Sequence, residues 1–156
     1  MIPRKPVSPE AMLLKMMDLC ARSEQSSGEI RQKLYRKGIT GHEARKIIDR
    51  LIDDSFIDDS RFARAFANDK ARFALWGRRK IRAGLAAKGI TGKEAADALA
   101  QIDEDEYAEA ALKAARAKAR NLDLNDYGER MKLFRHLASR GYEPEAISSA
   151  ISRLSE

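Results

Sequence analysis

A run of basic side chains in the middle of the sequence is the clearest sign of binding chemistry. Its members are Lys70, Arg72, Arg78, Arg79, Lys80, Arg82, Lys88 and Lys93, with no acidic residue between the first and the last. A basic run is often a solvated helix face, but such faces usually mix both signs. Because like charges repel one another, a polyanionic partner is the preferred interpretation. Guanidinium groups bind phosphate and carboxylate in bidentate pairs, so a nucleic acid or an acidic protein groove fits.

The single tryptophan, Trp76, lies inside this basic run. An indole there can stack on an unpaired base of a nucleic acid. Large aromatic side chains are mostly buried, however. The preferred interpretation is therefore that Trp76 closes a predicted helix from Asp59 to Trp76 and packs in the core with Phe73. Base stacking is the alternative.

The other polar residues give no sign of catalysis or of a metal site. The acidic cluster Asp53, Asp54, Asp58 and Asp59 lacks the residue order of an EF-hand loop. Instead, one of its last two members is expected to cap a helix that begins near Ser60. His42 and His136 lie in no recognisable catalytic pattern, and Cys20 falls on an apolar helix face as an inert thiol. The sequence predicts no enzyme, no metal and no cofactor.

The composition predicts helices as the elements that carry these residues. Prolines occur at Pro3, Pro6, Pro9 and Pro144, which leaves 134 consecutive residues without the commonest helix breaker. Valine occurs once and threonine twice, so strand-favouring residues are scarce apart from isoleucine. No apolar run approaches the ~18 residues of a membrane span, and the N-terminus lacks the apolar region of a secretory signal. One cysteine cannot form an internal disulfide, and we expect a cytoplasmic protein.

The sequence also repeats itself with a period of about fifty residues. Segments that begin at Ile30, Ile81 and Leu133 align at offsets of 51 and 52 residues. Seven positions agree in all three copies, six of them apolar and the seventh always glycine. Those glycines are Gly38, Gly89 and Gly141. Each copy is interpreted as a helix that ends at the glycine, followed by a second helix and preceded by a third.

This period predicts an all-α fold of three tandem three-helix repeats in an elongated, curved array. The expected boundaries are a flexible tail at 1–9, repeat 1 at 10–58, a basic repeat 2 at 59–103 and repeat 3 at 104–156. The net charge of +6 is uneven, because residues 61–100 alone carry +7. Capping boxes are expected where Thr40 precedes Glu43 and where Thr91 precedes Glu94.

Three motifs resemble the RecX family, the regulators of the bacterial recombinase RecA. Asp59-Ser-Arg61-Phe62-Ala63, after the segment that starts at Leu51, resembles the family's D-x-R-F-A signature. Gly77-Arg-Arg-Lys80-Ile81, followed by Leu85 and Gly89, resembles a second hallmark, and the segment from Glu29 to Gly38 is similar to a third. The resemblance extends from about Met12 to Leu154, and the family fold has three tandem three-helix repeats.

The resemblance implies a non-catalytic negative regulator of RecA. Members of the family bind in the helical groove of the RecA–DNA filament, limit its growth, and restrain its ATPase, strand exchange and coprotease activity. The expected partners are the RecA filament and, weakly and non-specifically, single- or double-stranded DNA, with no membrane. Arg78, Arg79, Lys80 and Arg82 are expected to lead the contact, with Lys70, Arg72, Lys88 and Lys93 beside them.

Two alternatives stay open at this point. The helix pairs have the order and spacing of a helix-turn-helix motif, with glycine in the turn, which would suit a stand-alone DNA-binding protein. A sequence-reading helix usually starts with Asn, Gln or Arg, whereas here the starts carry acids at Glu43, Glu94 and Glu145. An adaptor that binds only protein is the third possibility.

Overall fold

The computed structural model describes residues 7–155, and in this range every regular element is a helix. The helices are α1 (Pro9–Arg22), α2 (Ser27–Arg36), α3 (Gly41–Asp53), α4 (Asp59–Arg72), α5 (Arg78–Ala87), α6 (Lys93–Ala100), α7 (Glu104–Ala119), α8 (Tyr127–Ser139) and α9 (Pro144–Arg153). The predicted all-α fold of three tandem three-helix repeats is confirmed. Of the predicted tail at 1–9, residues 1–6 lie outside the described residues, while Pro9 opens α1.

The repeated apolar positions form the cores of the helix triplets. Ile30 and Leu34 of α2 are fully buried, and so are their counterparts Ile81 and Leu85 of α5 and Leu133 and Leu137 of α8. Each of these pairs is four residues apart and therefore lies on one helix face. The glycine that follows has a φ of 81° at Gly38, 79° at Gly89 and 98° at Gly141, the left-handed conformation that ends a helix.

The predicted capping boxes at Thr40 and Thr91 are wrong. Thr40 is the N-cap of α3, but its hydroxyl makes no capping hydrogen bond, and Gly92 rather than Thr91 is the N-cap of α6. In both copies the glycine after the threonine has a positive φ, with Gly41 as the first residue of α3 and Gly92 as the N-cap of α6. A capping box forms instead at Ser26, whose hydroxyl accepts from the Glu29 N–H at 3.1 Å while the Glu29 carboxylate accepts from the Ser26 N–H at 3.1 Å.

Helix α4 is shorter than the predicted helix from Asp59 to Trp76. It ends at Arg72, and Leu75 adopts a φ of 55°, so Trp76 lies in the turn before α5. Phe73 is 74% exposed, which makes the predicted packing of Trp76 with Phe73 in the core wrong. The turn is closed by the Trp76 backbone N–H, which donates to the Lys70 carbonyl oxygen at 2.9 Å, and the Arg140 guanidinium donates to the carbonyl oxygens of Ala74 and Leu75 within it.

The chain divides into two compact units. The first contains the residues up to Phe62 together with Ala87–Ile90, and the second contains Ala63–Ala86 and the residues from Thr91 onward. In the first unit Met12, Leu34 and Leu51 are fully buried and anchor the apolar core. In the second unit Ala115 and Leu133 do the same. Among residues 7–155, no helix is both long and apolar enough to cross a membrane.

Candidate polyanion-binding surface

Helix α5 presents two arginines of the basic run to solvent. Ile81 and Leu85 fix the buried face of this helix, and Arg79 and Arg82, three residues apart, lie on its exposed side. Within the described part of the chain, neither arginine forms an ion pair with an acidic side chain. Their guanidinium groups are therefore available for phosphate or carboxylate oxygens.

Trp76 brings two lysines of the run together. The Nζ atoms of Lys70, near the end of α4, and Lys80, in α5, lie 4.8 Å and 4.7 Å from the centroid of the indole ring. The edge of Phe66 packs against the same ring, with 6.3 Å between the centroids and 73° between the planes. Cation–π attraction to the indole thus holds two ammonium groups beside one partly exposed aromatic ring.

Phe66 and Gly84 complete this arrangement, and neither was identified from the sequence. A Cβ on Gly84 would lie 2.9 Å from the Phe66 ring and 3.2 Å from Trp76, so the glycine allows α5 to approach both aromatic side chains. The contact of Phe66 with Lys70 could have been predicted from their spacing, because residues four apart on a helix lie on the same face. The Lys70 ammonium lies 5.5 Å from the centroid of the Phe66 ring. No neighbouring residue in the sequence predicts the role of Gly84.

Of the basic run, Arg78 makes the most contacts with other residues. Its guanidinium lies 4.0 Å from the ring centroid of Tyr107 and donates to the Glu104 carboxylate at 2.7 Å, while its backbone N–H donates to the Tyr107 hydroxyl at 2.9 Å. Its side chain is only 23% exposed. Burial raises the pKa of Tyr107, and the hydroxyl in turn donates to Glu143 at 2.9 Å. Arg78 therefore serves the packing of α5 on α7.

Arg72 and Lys88 also have acidic partners. Arg72 donates to Glu106 at 2.9 Å, and this hydrogen bond raises the pKa of the guanidinium. The side chains of Arg72 and Glu106 are both more than half exposed, so this ion pair can open readily. In the first unit, the Lys88 ammonium lies 3.3 Å from the Glu29 carboxylate. Lys93 is exposed in the first turn of α6.

The second unit thus gathers four cations, Lys70, Arg79, Lys80 and Arg82, around Trp76 and one exposed side of α5. We call these five residues the basic surface. Arg72 and Arg78 lie next to it along the chain but are paired with acids of α7. Three cations of α5 and one of α4, none of them paired with an acid in the described residues, attract a polyanion.

The residues first considered for metal binding or catalysis have structural partners. The Asp58 carboxylate accepts from the Arg61 N–H at 3.0 Å at the start of α4, which confirms the predicted helix cap. Asp59 accepts from the Ser27 N–H at 2.8 Å and from its hydroxyl at 2.5 Å. Partial burial raises the pKa of Cys20, which favours the unreactive thiol.

Comparison with known proteins identifies the family. Three family models match in chain order: the first three-helix domain of RecX at residues 13–51, the second at 58–99 and the third at 104–151. The crystal structure of RecX from Lactobacillus salivarius superposes with a TM-score of 0.85 at 22% identity, covering 94% of this chain and 96% of that one. This likeness shows the same fold.

Curated relatives agree with the domain matches. The regulatory protein RecX of Prosthecochloris aestuarii is 34% identical over 131 residues, which cover 84% of this chain and 85% of the relative. The regulatory protein RecX of Clostridium botulinum (strain Alaska E43) is 32% identical over 133 residues, and the match spans 62% of its length. The family models together cover most of the chain, so this protein belongs to the RecX family of regulatory proteins.

Proposed function

We propose that this protein is a non-catalytic regulator of the RecA recombinase. It binds the RecA–DNA filament and limits filament growth, ATP hydrolysis, strand exchange and coprotease activity, and it acts in the cytoplasm, where such filaments form. Membership of the RecX family supports the regulatory role. The observation that carries the contact with the filament is the basic surface, in which four cations lie without acidic partners in the described residues.

The basic surface suits a polyanion with oxygen atoms spaced along a backbone. Arg79 and Arg82 bind phosphates of the filament DNA or carboxylates in the filament groove through paired N–H groups. Lys70 and Lys80 add two point charges that Trp76 holds in place. Because these contacts reach phosphates and not base edges, binding to DNA itself is weak and independent of sequence.

Trp76 has a different role in this proposal from base stacking. Phe66 and the two lysines already contact its ring. Its contribution is to position the ammonium groups of Lys70 and Lys80. Replacing Trp76 with leucine should therefore weaken binding through loss of this positioning, and phenylalanine should restore part of it.

The test is the single-stranded-DNA-dependent ATPase of RecA, titrated with this protein. Unmodified protein should inhibit the ATPase, and Arg79→Glu/Arg82→Glu should remove the inhibition without lowering the thermal midpoint. Arg116→Glu/Arg120→Glu, at an exposed position of α7 and at its exposed C-cap, makes the same change in net charge and should still inhibit. Undiminished inhibition by the α5 variant, or equal loss with the α7 variant, would overturn the assignment of the basic surface.

The stoichiometry of inhibition separates two modes of action. Inhibition at a small fraction of the RecA concentration indicates an effect on filament growth, whereas inhibition only near equal concentrations indicates coating of the groove. A gel-shift assay supplies the comparison with the alternative function. DNA binding that is as strong without recombinase as with it would favour a stand-alone DNA-binding protein.

A further inference from the structure

A second group of unpaired cations lies in the first repeat, outside the basic run. Residues 31–46 contain one acid, Glu43, and six bases: Arg31, Lys33, Arg36, Lys37, Arg45 and Lys46. Within residues 7–155, none of the six forms an ion pair with an acidic side chain. Five aspartates between residues 49 and 59 offset this charge in the sequence, so the first sixty residues together carry only +1. The first repeat therefore has a positive segment of its own.

A groove of about 550 Å³ opens between α2 and α3, the two helices that carry most of these cations. All of its lining residues belong to the first unit. Its floor is apolar, because the side chains of Ile39, Ala44 and Ile48 are buried there. Pockets that hold small organic groups have volumes of roughly 300–1,000 Å³, and this groove lies within that range.

The walls of the groove combine an aromatic ring with charges of both signs. Two wall residues come from α2 and three from α3: Arg31, Tyr35, Arg45, Asp49 and Ile52. Arg31 and Tyr35 are four residues apart, so they share one face of α2. Arg31, Arg45 and Asp49 are exposed, and none of them forms an ion pair in the described residues. We call this cavity, with its five wall residues and its apolar floor, the tyrosine groove.

Tyr35 presents an aromatic ring that is largely uncovered. The residue is 72% exposed, and among the described residues no aromatic ring packs on it and no cation lies over it. Ile52 is 46% exposed in the same groove. Trp76, by contrast, is already contacted by Phe66 and two lysines. Of the two aromatic residues that lie beside unpaired cations, Tyr35 is therefore the one with an open face.

An aromatic ring beside two guanidinium groups is a combination that binds single-stranded nucleic acid. Such sites hold the backbone by positive charge and stack unpaired bases on aromatic side chains. Guanidinium groups bind phosphate oxygens in bidentate pairs. A duplex does not suit such a site, because its bases are already stacked and paired.

Asp49 distinguishes a nucleotide from an acidic peptide as the occupant. It lies one helical turn after Arg45, so the α3 wall carries an anion beside a cation. A peptide that presents carboxylates to the two arginines meets repulsion at Asp49. In a nucleotide the phosphate is negative, whereas the base edge carries N–H groups that can donate to a carboxylate. The charges of the groove therefore favour a nucleotide unit.

We propose that the tyrosine groove binds single-stranded nucleic acid, with one base stacked on Tyr35 and the adjoining phosphates held by Arg31 and Arg45. Asp49 accepts a hydrogen bond from the edge of the base. Because every base has a stacking face, the site accepts any sequence. It binds the strand without RecA, and it differs from the basic surface, which contacts phosphates only. The protein then has one contact to nucleic acid in each compact unit.

Fluorescence anisotropy with two labelled oligomers of about eight nucleotides tests the stacked base. One is oligo(dT), and the other has the same backbone without bases. The measurement uses the Arg79→Glu/Arg82→Glu background, which removes the basic surface. Tyr35→Ala should weaken binding of oligo(dT) about tenfold and leave binding of the abasic oligomer unchanged. Tyr35→Phe keeps the ring and should bind like the background.

Tyr127→Ala is the matched control, because Tyr127 is 70% exposed and lies outside the groove. It should leave binding of oligo(dT) unchanged. Since both tyrosines are exposed, the thermal midpoints of Tyr35→Ala and Tyr127→Ala should equal that of the background. The proposal is overturned if Tyr35→Ala binds oligo(dT) as tightly as the background does, or if the background binds neither oligomer.

Arg31→Ala/Arg45→Ala tests the phosphate contacts. This variant should weaken binding of both oligomers and reduce the magnitude of the slope of log K against log salt concentration by about 1.4, separately from any contribution of the basic surface. Arg116→Ala/Arg120→Ala removes two exposed arginines outside the groove and should change neither quantity. An unchanged slope in the groove variant would mean that no phosphate lies there, against the proposal.

Photo-cross-linking locates the base in the unmodified protein. An oligomer that carries 5-iodouracil forms a covalent adduct with an aromatic side chain in contact with its base, and mass spectrometry of the peptides identifies that residue. An adduct at Tyr35 supports the proposal, whereas an adduct at Trp76 alone overturns it. Normal DNA binding by Tyr35→Ala, together with lost inhibition of the RecA ATPase, would also overturn it and give the groove a protein partner. The measurements on bare DNA do not involve RecA, so their failure leaves the proposed regulatory role untouched.

Discussion

Arg78 and Arg79 are adjacent in sequence, and their side chains have different surroundings. Arg78 stacks on Tyr107 and bonds Glu104, whereas Arg79 is exposed and makes no ion pair in the described residues. Arg78→Ala should lower the free energy of unfolding by about 1–2 kcal/mol, chiefly by uncovering the Tyr107 ring. Arg79→Ala should change it by less than about 0.5 kcal/mol.

Urea denaturation of the two alanine variants measures this difference. Arg78→Lys is a useful companion, because lysine keeps the charge and loses the planar stack, so it should recover little stability. Equal stability of Arg78→Ala and Arg79→Ala would show that the stack on Tyr107 contributes nothing. It would also return Arg78 to the set of free cations.

His136 gives the fold a pH dependence on the acid side. Partial burial lowers the pKa of its imidazole, and the nearby charges of Lys118 and Arg140 act in the same direction. The unfolded chain therefore binds a proton at higher pH than the folded protein does. Lowering the pH through the ordinary histidine range, near 6.5, must then destabilise the fold, and raising it must restore the stability.

The measurement is the urea midpoint from pH 8 to pH 5 for the unmodified protein and for His136→Gln. Glutamine has no proton to bind, so the difference between the two curves should shrink or reverse as the pH falls. Parallel curves would show that His136 titrates alike in the folded and unfolded chains.

Among the elements, α2 and α3 show that similar capping sequences can differ in whether the capping hydrogen bond forms. Ser26 is fully buried, caps Glu29 and donates to the Lys88 carbonyl oxygen, whereas Thr40 makes no capping hydrogen bond. Ser26→Ala should therefore cost about 1–2 kcal/mol of stability, and Thr40→Ala less than about 0.5 kcal/mol. Thermal unfolding of both variants tests this. A larger loss for Thr40→Ala would show that its capping box forms in solution.

The helix order was predictable because the core repeats. Ile30, Ile81 and Leu133 stand at corresponding places in three copies, and all are fully buried. The repeated apolar positions in the sequence therefore indicate which face of the second helix in each repeat is buried. Gly38 is a similar case, since a left-handed helix end restricts the residue type so strongly that glycine itself is the signal.

The end of α4 was not predicted, because no glycine or proline marks it in the sequence. The residues after Arg72 have no proline or glycine until Gly77, and local preferences extend the helix to Trp76. The turn places Leu75, which is not a glycine, at a φ of 55°, and the Arg140 guanidinium binds its carbonyl oxygen from 65 residues away. A contact of that separation leaves no local pattern.

Contacts between residues far apart in the sequence also limited the prediction of the candidate site. The charge run located the basic surface on α4 and α5, since one sign of charge over 24 residues is visible in the sequence. The acids that occupy Arg72 and Arg78 lie on α7, about thirty residues later. Sequence alone therefore placed Arg78 among the four leading cations, whereas the fold pairs it with Glu104.

For the whole molecule, the division of the basic run into paired and unpaired cations fixes how binding should depend on salt. The eight cations of the basic run overstate what a polyanion meets, because Arg72, Arg78 and Lys88 have acidic partners. If the four cations of the basic surface each release a counterion from single-stranded DNA, log K should fall with log salt concentration with a slope of about −3. Eight engaged cations would give a slope of about −6.

Fluorescence anisotropy of labelled single-stranded DNA, bare or coated with RecA, measures this slope between about 50 and 200 mM salt. Arg79→Ala/Arg82→Ala should reduce its magnitude by about 1.4, because two phosphate contacts are lost. Arg72→Ala, which removes a cation already paired with Glu106, should leave the slope unchanged. A reduction by Arg72→Ala equal to that of one α5 arginine would mean that the Glu106 ion pair opens on binding. A slope near zero on both substrates would mean that the basic surface contacts no phosphate.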